Sequence, residues 1–307
     1  MTAKDIDVLV VGELNADLIL LGDVTPEFGQ KEKVIDDASL TLGSSSGIFA
    51  CGAARLGLRV AFVGKIGDDE FGRFVRGQLE ARGVDTAGLV VDGTVKTGLS
   101  VILSRGSNRA ILTHLGSIAA LRYSEVSRDL VARARHLHLG SYFLLDALRP
   151  DVPALFDLAH AMGLTVSLDT NYDPAETWNG GLADALRRAD VFLPNETELR
   201  AIAGVADIEA ALECLARQTP LVAAKLGTQG AIGRTGGETA RAPSLPLDVV
   251  DTTGAGDSFD AGFVYGYLAG WDLARALRLA CVCGSLSTRA AGGTAAQATL
   301  AEALAVL

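Results

Sequence analysis

The stretch "DTTGAGDSFDAG", from Asp251 to Gly262, combines bare backbone with acids in a pattern that suits phosphoryl chemistry. Gly254, Ala255 and Gly256 carry almost no side chain, Asp257 follows directly, and "SFDAGFVYGYLAG" then runs on with helix-like apolar spacing. The loop therefore reads as a helix N-terminus, where the first N–H groups lack intrahelical partners and the dipole favours negative charge. Glycine lets a ligand approach that backbone closely. A carboxylate beside such an anion hole suits deprotonation of a hydroxyl that attacks a phosphoryl group. The same residues also read as a Gly-rich turn with Asp257 as an N-cap. Taken alone, they leave both readings open.

Other chemistries are excluded more firmly. A Walker A loop needs Gly-Lys-Ser or Gly-Lys-Thr, and neither occurs. "GAGDSFDAG" has the wrong spacing and lies too far downstream for a dinucleotide fingerprint. The four cysteines, Cys51, Cys214, Cys281 and Cys283, form no CxxC pair or zinc pattern and fit a reducing interior. "HLHLG" at 136–140 alternates like a strand, so its histidines read as one sheet face rather than a metal site. A net charge of −10 gives no electrostatic footprint for nucleic acid. The N-terminal apolar run is short, and no window reaches the ~18 apolar residues of a membrane span. These features predict a cytoplasmic protein without a membrane or nucleic-acid partner.

The elements that must position the loop alternate. "DVLVVGEL", "VAFVGKIG", "LHLGSYF", "LTVSLDT", "DVFLP" and "LVAAKLG" read as buried strands, and "GIFACGAARLG", "DDEFGRFVRGQLEARG", "VPALFDLAHAMG", "GLADALRRA" and "DIEAALECLARQ" as helices. Such alternation predicts an α/β fold, a mostly parallel sheet sandwiched by helices. Residues at about 15–41 and 95–114 break the pattern with alternating β-like runs and predict a small inserted antiparallel sheet. A hairpin is predicted at 230–243. The 307 residues read as a single domain with an excursion.

"DTTGAGDSFDAGF" closely resembles the C-terminal signature of the PfkB (ribokinase-like) carbohydrate kinases. "VVGELNADLIL", "GSSSGIFACGAARLGLRVAFVGKIGDDEFG", "LPNETEL" and "AAKLGTQGAI" resemble the family's other segments in order, from about residue 7 to about 300. The resemblance implies an ATP-dependent, Mg²⁺-requiring kinase of a small neutral sugar, or of a nucleoside. It implies Asp257 as catalytic base and Gly254, Ala255 and Gly256 as anion hole. Asn195 and Glu198 match the motif that organises magnesium, largely through water; a plain helix start capped by Asn195 is the alternative. Lys225, Gly227 and Gly230 fall on the nucleotide segment, Lys225 reading equally as a solvated strand end. Asp251 and Thr253 match positions that bind potassium in many relatives.

On the substrate side, Asn15 and Asp17 match the pair that binds sugar hydroxyls, and Gly43, Ser44 and Ser45 the Gly-rich substrate loop. Asn171 matches a residue of the pocket rim. The sequence departs from the family where Ser45 replaces a lysine, Ile48 an asparagine and Asp173 a common arginine. The last change argues against a phosphorylated or carboxylated acceptor; Arg105 and Arg109, in the expected lid, are the residues that would serve one. The resemblance also implies a homodimer through the lid. A catalytically silent sugar- or nucleotide-binding member is a further reading, opposed by the intact Asp257, glycines and Glu198.

Overall fold

The computed structural model describes residues 4–105 and 108–307. Gly106 and Ser107, within the expected lid segment 95–114, lie outside that range. The strands are β1 (Ile6–Val11), β2 (Asn15–Leu21), β3 (Asp37–Leu42), β4 (Val60–Gly67), β5 (Asp85–Asp92), β6 (Gly98–Arg105), β7 (Asn108–His114), β8 (Ala134–Leu139), β9 (Thr165–Leu168), β10 (Val191–Phe192), β11 (Leu221–Lys225), β12 (Ala231–Thr235) and β13 (Glu238–Ala242). The α-helices are α1 (Ser45–Arg55), α2 (Glu70–Glu80), α3 (Arg128–Arg133), α4 (Val152–Ala161), α5 (Leu182–Leu186), α6 (Glu196–Ala203), α7 (Ile208–Ala216), α8 (Ala255–Leu268), α9 (Leu273–Ser287) and α10 (Leu300–Leu304).

Nine strands form the main sheet in the order β13-β12-β11-β10-β9-β8-β1-β4-β5. From β11 to β5 every neighbour is parallel; the β12–β13 hairpin closes one edge antiparallel. Apolar side chains bury both faces. Leu9, Leu137, Phe156 and Phe192 pack on one side, and Val8, Phe49, Phe62 and Phe263 on the other. That two-sided burial is why β1 reads as an unbroken apolar run, "IDVLVV". Successive strands reach their carboxyl ends on one edge, where ligands bind in open α/β sheets.

Four strands form a second sheet, in the order β3-β2-β6-β7. Each hairpin is antiparallel within itself, as expected for the insert, and the two hairpins join through a parallel β2–β6 pair. Both β2 and β6 leave the main sheet in one direction, after β1 and β5, so they meet side by side rather than head to tail. The register puts Asp17, Ser100 and Thr113 on one face and Leu18, Val101 and Leu112 on the other. Among the described residues no helix is long and apolar enough to cross a membrane.

Candidate active site

The loop before α8 turns on Gly254, whose φ of 73° is left-handed. A Cβ there would lie 2.7 Å from the Gly293 Cα, so glycine is required by space as well as by dihedral. No side chain caps the first turn of α8; Ala255 N donates to the Thr252 carbonyl at 3.2 Å, which leaves the N–H groups of Gly256 and Asp257 at the open end of the helix. Asp251 braces the approach: one oxygen accepts from Thr253 N and Thr253 Oγ1 at 2.9 and 2.8 Å, the other from Gly292 N at 2.9 Å.

Asp257 is half-buried. Its protein surroundings, and then the charge of Asp169, push its pKa up to about 7. Oxygens of Asp169, Asp257 and Asp260 lie within 4.8 Å of one another. Lys225 holds this cluster together. Its ammonium donates to Asp169 Oδ2 at 2.7 Å and to both oxygens of Asp260 at 3.0 and 2.9 Å. Lys225 is thus an interior ion-pair residue rather than a solvated strand end, and it also borders the cleft behind the α8 turn. Burial opposes the lysine's charge, but Asp169, Asp260 and Glu198 outweigh it and hold its pKa above the ordinary range. Asp169 also resists burial, since Lys225 keeps its pKa down at about 2. Burial dominates at Asp260 and raises its pKa despite Lys225.

Asn195 and Glu198 form a reciprocal capping box at the start of α6. Asn195 N and Nδ2 donate to the two Glu198 oxygens at 2.8 and 2.6 Å, and Asn195 Oδ1 accepts from Glu198 N at 3.0 Å. Glu198 is buried, and desolvation followed by the Asp169 charge pushes its pKa to about 7. The helix-start reading of this pair is therefore correct as far as it goes, yet it leaves Glu198 facing the acidic cluster. Asp169, Asp257 and Asp260 offer only hard oxygen donors, which suits magnesium and not a softer ion, with Lys225 already holding both oxygens of Asp260.

On the other side of Asp257 lies a polar pocket. Asn15 Nδ2 donates to Asp17 Oδ1 at 2.8 Å, and burial leads in raising the Asp17 pKa to about 6. Gly43 sits against this pair: a Cβ there would fall 2.1 Å from Asp17 Oδ1. Ser44 caps α1 by accepting from Gly47 N at 2.7 Å, and its hydroxyl donates to the Glu13 carbonyl at 2.6 Å. Ser45 Oγ accepts from Asn171 Nδ2 at 3.1 Å. Glu13, missed in the sequence, is a buried carboxylate that accepts from Ser46 N at 3.2 Å and from the Ser46 hydroxyl. Asp173, which stands where an arginine is common, accepts from Ala175 N, Thr177 N and Trp178 N at 2.7–2.9 Å. It organises its own loop. From the lid, Arg109 Nη1 donates to Thr253 Oγ1 at 3.1 Å and lies near enough to lower the pKa of Asp17 and Asp251.

A cleft of about 270 Å³ opens behind the α8 turn. Lys225, Gly227, Gly230, Ala255 and Gly256 line it, as do Leu245, Leu247, Phe259, Cys281, Gly284, Ser285 and Thr288. Its apolar walls beside an uncapped helix start suit an aromatic base with phosphates. Cys281, Gly284, Ser285 and Thr288 follow one face of α9 at i, i+3, i+4 and i+7. That helical spacing was the signal available in the sequence for this wall of the cleft. Cys283 faces α8 instead, 3.0 Å from a Cβ built on Gly262.

The family model described as pfkB family carbohydrate kinase matches residues 5–300. An ATP-dependent ribose-1-phosphate kinase from Halopiger xanaduensis is 32% identical over 94% of this chain and 94% of its own. The adenosine kinase of Sinorhizobium meliloti superposes with a TM-score of 0.87 at 27% identity, covering 99% of each chain. A putative ribokinase II from E. coli, solved in complex with ATP and Mg²⁺, gives a TM-score of 0.85 at 24% identity over 98% of each chain. With the match spanning nearly the whole length, on a ribokinase-like fold, this chain belongs to the pfkB family of carbohydrate kinases and is a phosphotransferase with an alcohol group as acceptor.

Proposed function

We propose that this sugar kinase uses ATP to phosphorylate a hydroxymethyl group of a small sugar, with Asp257 as general base. The observation that carries the reading is the position of Asp257. It stands at an uncapped helix N-terminus, with a polyol-type pair on one side and an apolar cleft on the other. ATP lies in that cleft, its base against α9 and its phosphates toward Gly254, Ala255 and Gly256, with Gly227 and Gly230 along the opposite wall. Asn15, Asp17 and the Gly43–Ser45 loop bind the sugar. Asp257 takes the acceptor's hydroxyl proton as its oxygen bonds to the γ-phosphorus; the bond to the β-phosphate oxygen breaks and ADP leaves. The N–H groups of the α8 turn stabilise charge on the transferred group. Glu198, with Asn195 orienting it, and the neighbouring aspartates would hold magnesium. A bound magnesium ion supplies charge neutralisation on the phosphates. Asp251 and Thr253 would contribute to a potassium site, which an activity comparison in potassium and sodium tests.

The lid covers the sugar and excludes water. Its outer face carries Leu18, Leu20, Leu40, Val101, Leu103 and Leu112, and Leu112 is 62% exposed. An apolar sheet face of this kind suits a homodimer through the lid, which sedimentation checks. Four free thiols fit a reducing, cytoplasmic setting.

A sugar phosphate is the second reading. Arg109 faces the site, Asp173 is occupied by its own loop, and a similar relative bears the name ribose-1-phosphate kinase. A coupled ADP-release screen over ribose, fructose, adenosine, ribose 1-phosphate and fructose 1-phosphate separates the two. Preference for a neutral sugar supports the first reading; preference for a phosphorylated acceptor replaces it with the second. Ligand binding without ADP formation would overturn both.

A further inference from the structure

Nucleobases differ at their edges, where each presents its own order of hydrogen-bond donors and acceptors. Side chains that tell them apart fit those edges: an amide suits adenine, a guanidinium suits guanine, and a carboxylate suits an exocyclic amine. Among the described residues, none of these groups lines the cleft behind the α8 turn, and no imidazole does. Lys225 is the single charged residue among those that line it, and its ammonium is held by Asp169 and Asp260.

The polar atoms toward α9 are engaged with the protein's own backbone. Ser244 Oγ donates to the Thr228 carbonyl and Thr288 Oγ1 to the Ser285 carbonyl, each at 2.7 Å, and Cys281 Sγ donates to the Ala242 carbonyl at 3.6 Å. Ser285 Oγ accepts from Leu245 N at 3.1 Å. Its remaining proton can serve an acceptor on a base edge, and the Thr288 oxygen can serve a donor. Adenine and guanine each carry both kinds of group, so this pair ranks neither above the other. The facing backbone is engaged as well. Pro243 and Pro246 have no N–H, Leu245 N goes to Ser285, and Val250 N goes to the Thr288 carbonyl at 2.9 Å.

The surface left for a base is apolar, from Leu245, Leu247, Val249 and Phe259. Such walls rank ligands by shape and covered area. A site built to hydrogen-bond its substrate rejects an analogue by ~10⁴–10⁵-fold, because its own polar groups are then left unpaired. An apolar wall leaves nothing unpaired, and its discrimination stays near ~10–200-fold even for a change in ligand size.

We propose that this kinase selects its phosphoryl donor by ring size and phosphates rather than by base identity: it takes purine nucleoside triphosphates as a class, GTP and ITP as well as ATP, and pyrimidine ones less well. The inference rests on the reading of this cleft as the nucleotide site and names the donors it admits. The transfer itself is the same with each donor. The acceptor oxygen bonds to the γ-phosphorus, the bond to the β-phosphate oxygen breaks, the hydroxyl proton goes to Asp257, and the nucleoside diphosphate leaves.

Calorimetry on the full chain with magnesium and ADP, GDP, IDP or CDP tests this without an acceptor. The three purine nucleotides should bind within about tenfold of one another. CDP should bind about tenfold more weakly than ADP, since a single ring covers less of the apolar wall. Turnover of ATP, GTP and ITP with ribose or fructose, read as nucleoside diphosphate by ion-exchange chromatography, should give similar kcat values. Leu247→Ala should weaken ADP and GDP by the same factor, about 3–10-fold, and leave their ratio unchanged. A preference above about 100-fold between ADP and GDP, in either direction, would overturn the proposal, as would a Leu247→Ala effect confined to one of them. The two levels separate cleanly. If ATP is turned over and GTP is not, only the donor class falls; if none of the four nucleotides binds, the reading of the cleft falls with it.

Discussion

Lys225 Nζ lies 3.0 and 2.9 Å from the two oxygens of Asp260, tying the first turns of α8 to the carboxyl end of β11. The same ammonium reaches Asp169 at 2.7 Å, beyond β9. One buried cation thus fixes the helix that carries Asp257 to two strands of the sheet. Removing one partner of such a cluster leaves charge uncompensated in the interior, at a cost of about 3–5 kcal/mol. Lys225→Met is expected to lower the urea midpoint accordingly. Asp260→Asn, which keeps shape and one acceptor, should cost less. Equal midpoints for Lys225→Met and wild type would show that the cluster contributes no stability.

With Asp257 as the proposed base, its pKa of about 7 should set the acid limb of activity. The base must be ionised, so kcat/KM should rise tenfold per pH unit below that value and level off above it. Asp257→Asn should remove the limb and lower turnover by ~10²–10⁴, the usual contribution of a positioned base. Nucleotide binding, followed by fluorescence or calorimetry, should persist.

The same shift has a stability consequence of opposite sense. The folded state holds the Asp257 proton up to about pH 7, whereas the unfolded chain releases it near the ordinary carboxylate value of ~4. The folded state therefore binds more protons across that window, and its stability declines as pH rises through it. Asp257→Asn should melt higher than wild type at pH 8, and the difference should shrink toward pH 5. Calorimetry at the two pH values checks both the sign and the trend.

Gly43 is required by the sugar pair rather than by its dihedral. A methyl group there would fall 2.1 Å from Asp17 Oδ1 and 2.5 Å from Asn15 Nδ2. Gly43→Ala should raise the acceptor KM by an order of magnitude or more and leave the ATP KM unchanged. Steady-state kinetics with each substrate varied separately would reveal it; an equal effect on both would place Gly43 outside the sugar pocket.

Arg109 and Thr253 join the lid to the loop before the anion hole by an exposed contact. Exposed contacts of this kind contribute about 0–1 kcal/mol, so Arg109→Ala should leave the melting temperature nearly unchanged. The acceptor KM should rise severalfold for a neutral sugar and far more for a phosphorylated one. A uniform effect on both acceptors would mean that Arg109 latches the lid without reading charge.

Much of this was legible because local patterns and global fold agree. Two-sided burial gives unbroken apolar strands, and the α8 start announces itself through Gly254, Ala255 and Gly256. What escaped the sequence were relationships among distant segments. Asp260 was in plain view inside the catalytic stretch, yet its partner Lys225 lies 35 positions earlier and Asp169 earlier still. Nothing local to Asn171 says that Ser45 and Ser141, 126 and 30 positions away, take both its amide protons. Asp173 shows a local role of another kind: an aspartate followed by "PAETW" is a turn former that binds backbone N–H groups.

The parallel pairing of β2 with β6 has a consequence for how the protein reaches its working state. Asn15 and Ser100, which meet across that pair, are 85 positions apart, and β1, β4 and β5 must be in place before the two strands can meet. Long-range parallel pairing forms slowly, because the intervening chain must be ordered before any contact rewards it. The sugar pocket is therefore expected to be the last part of the molecule to assemble during refolding. Recovery of the native fluorescence of the sheet would then precede recovery of catalysis, with a population that is compact, able to hold nucleotide and still blind to its acceptor.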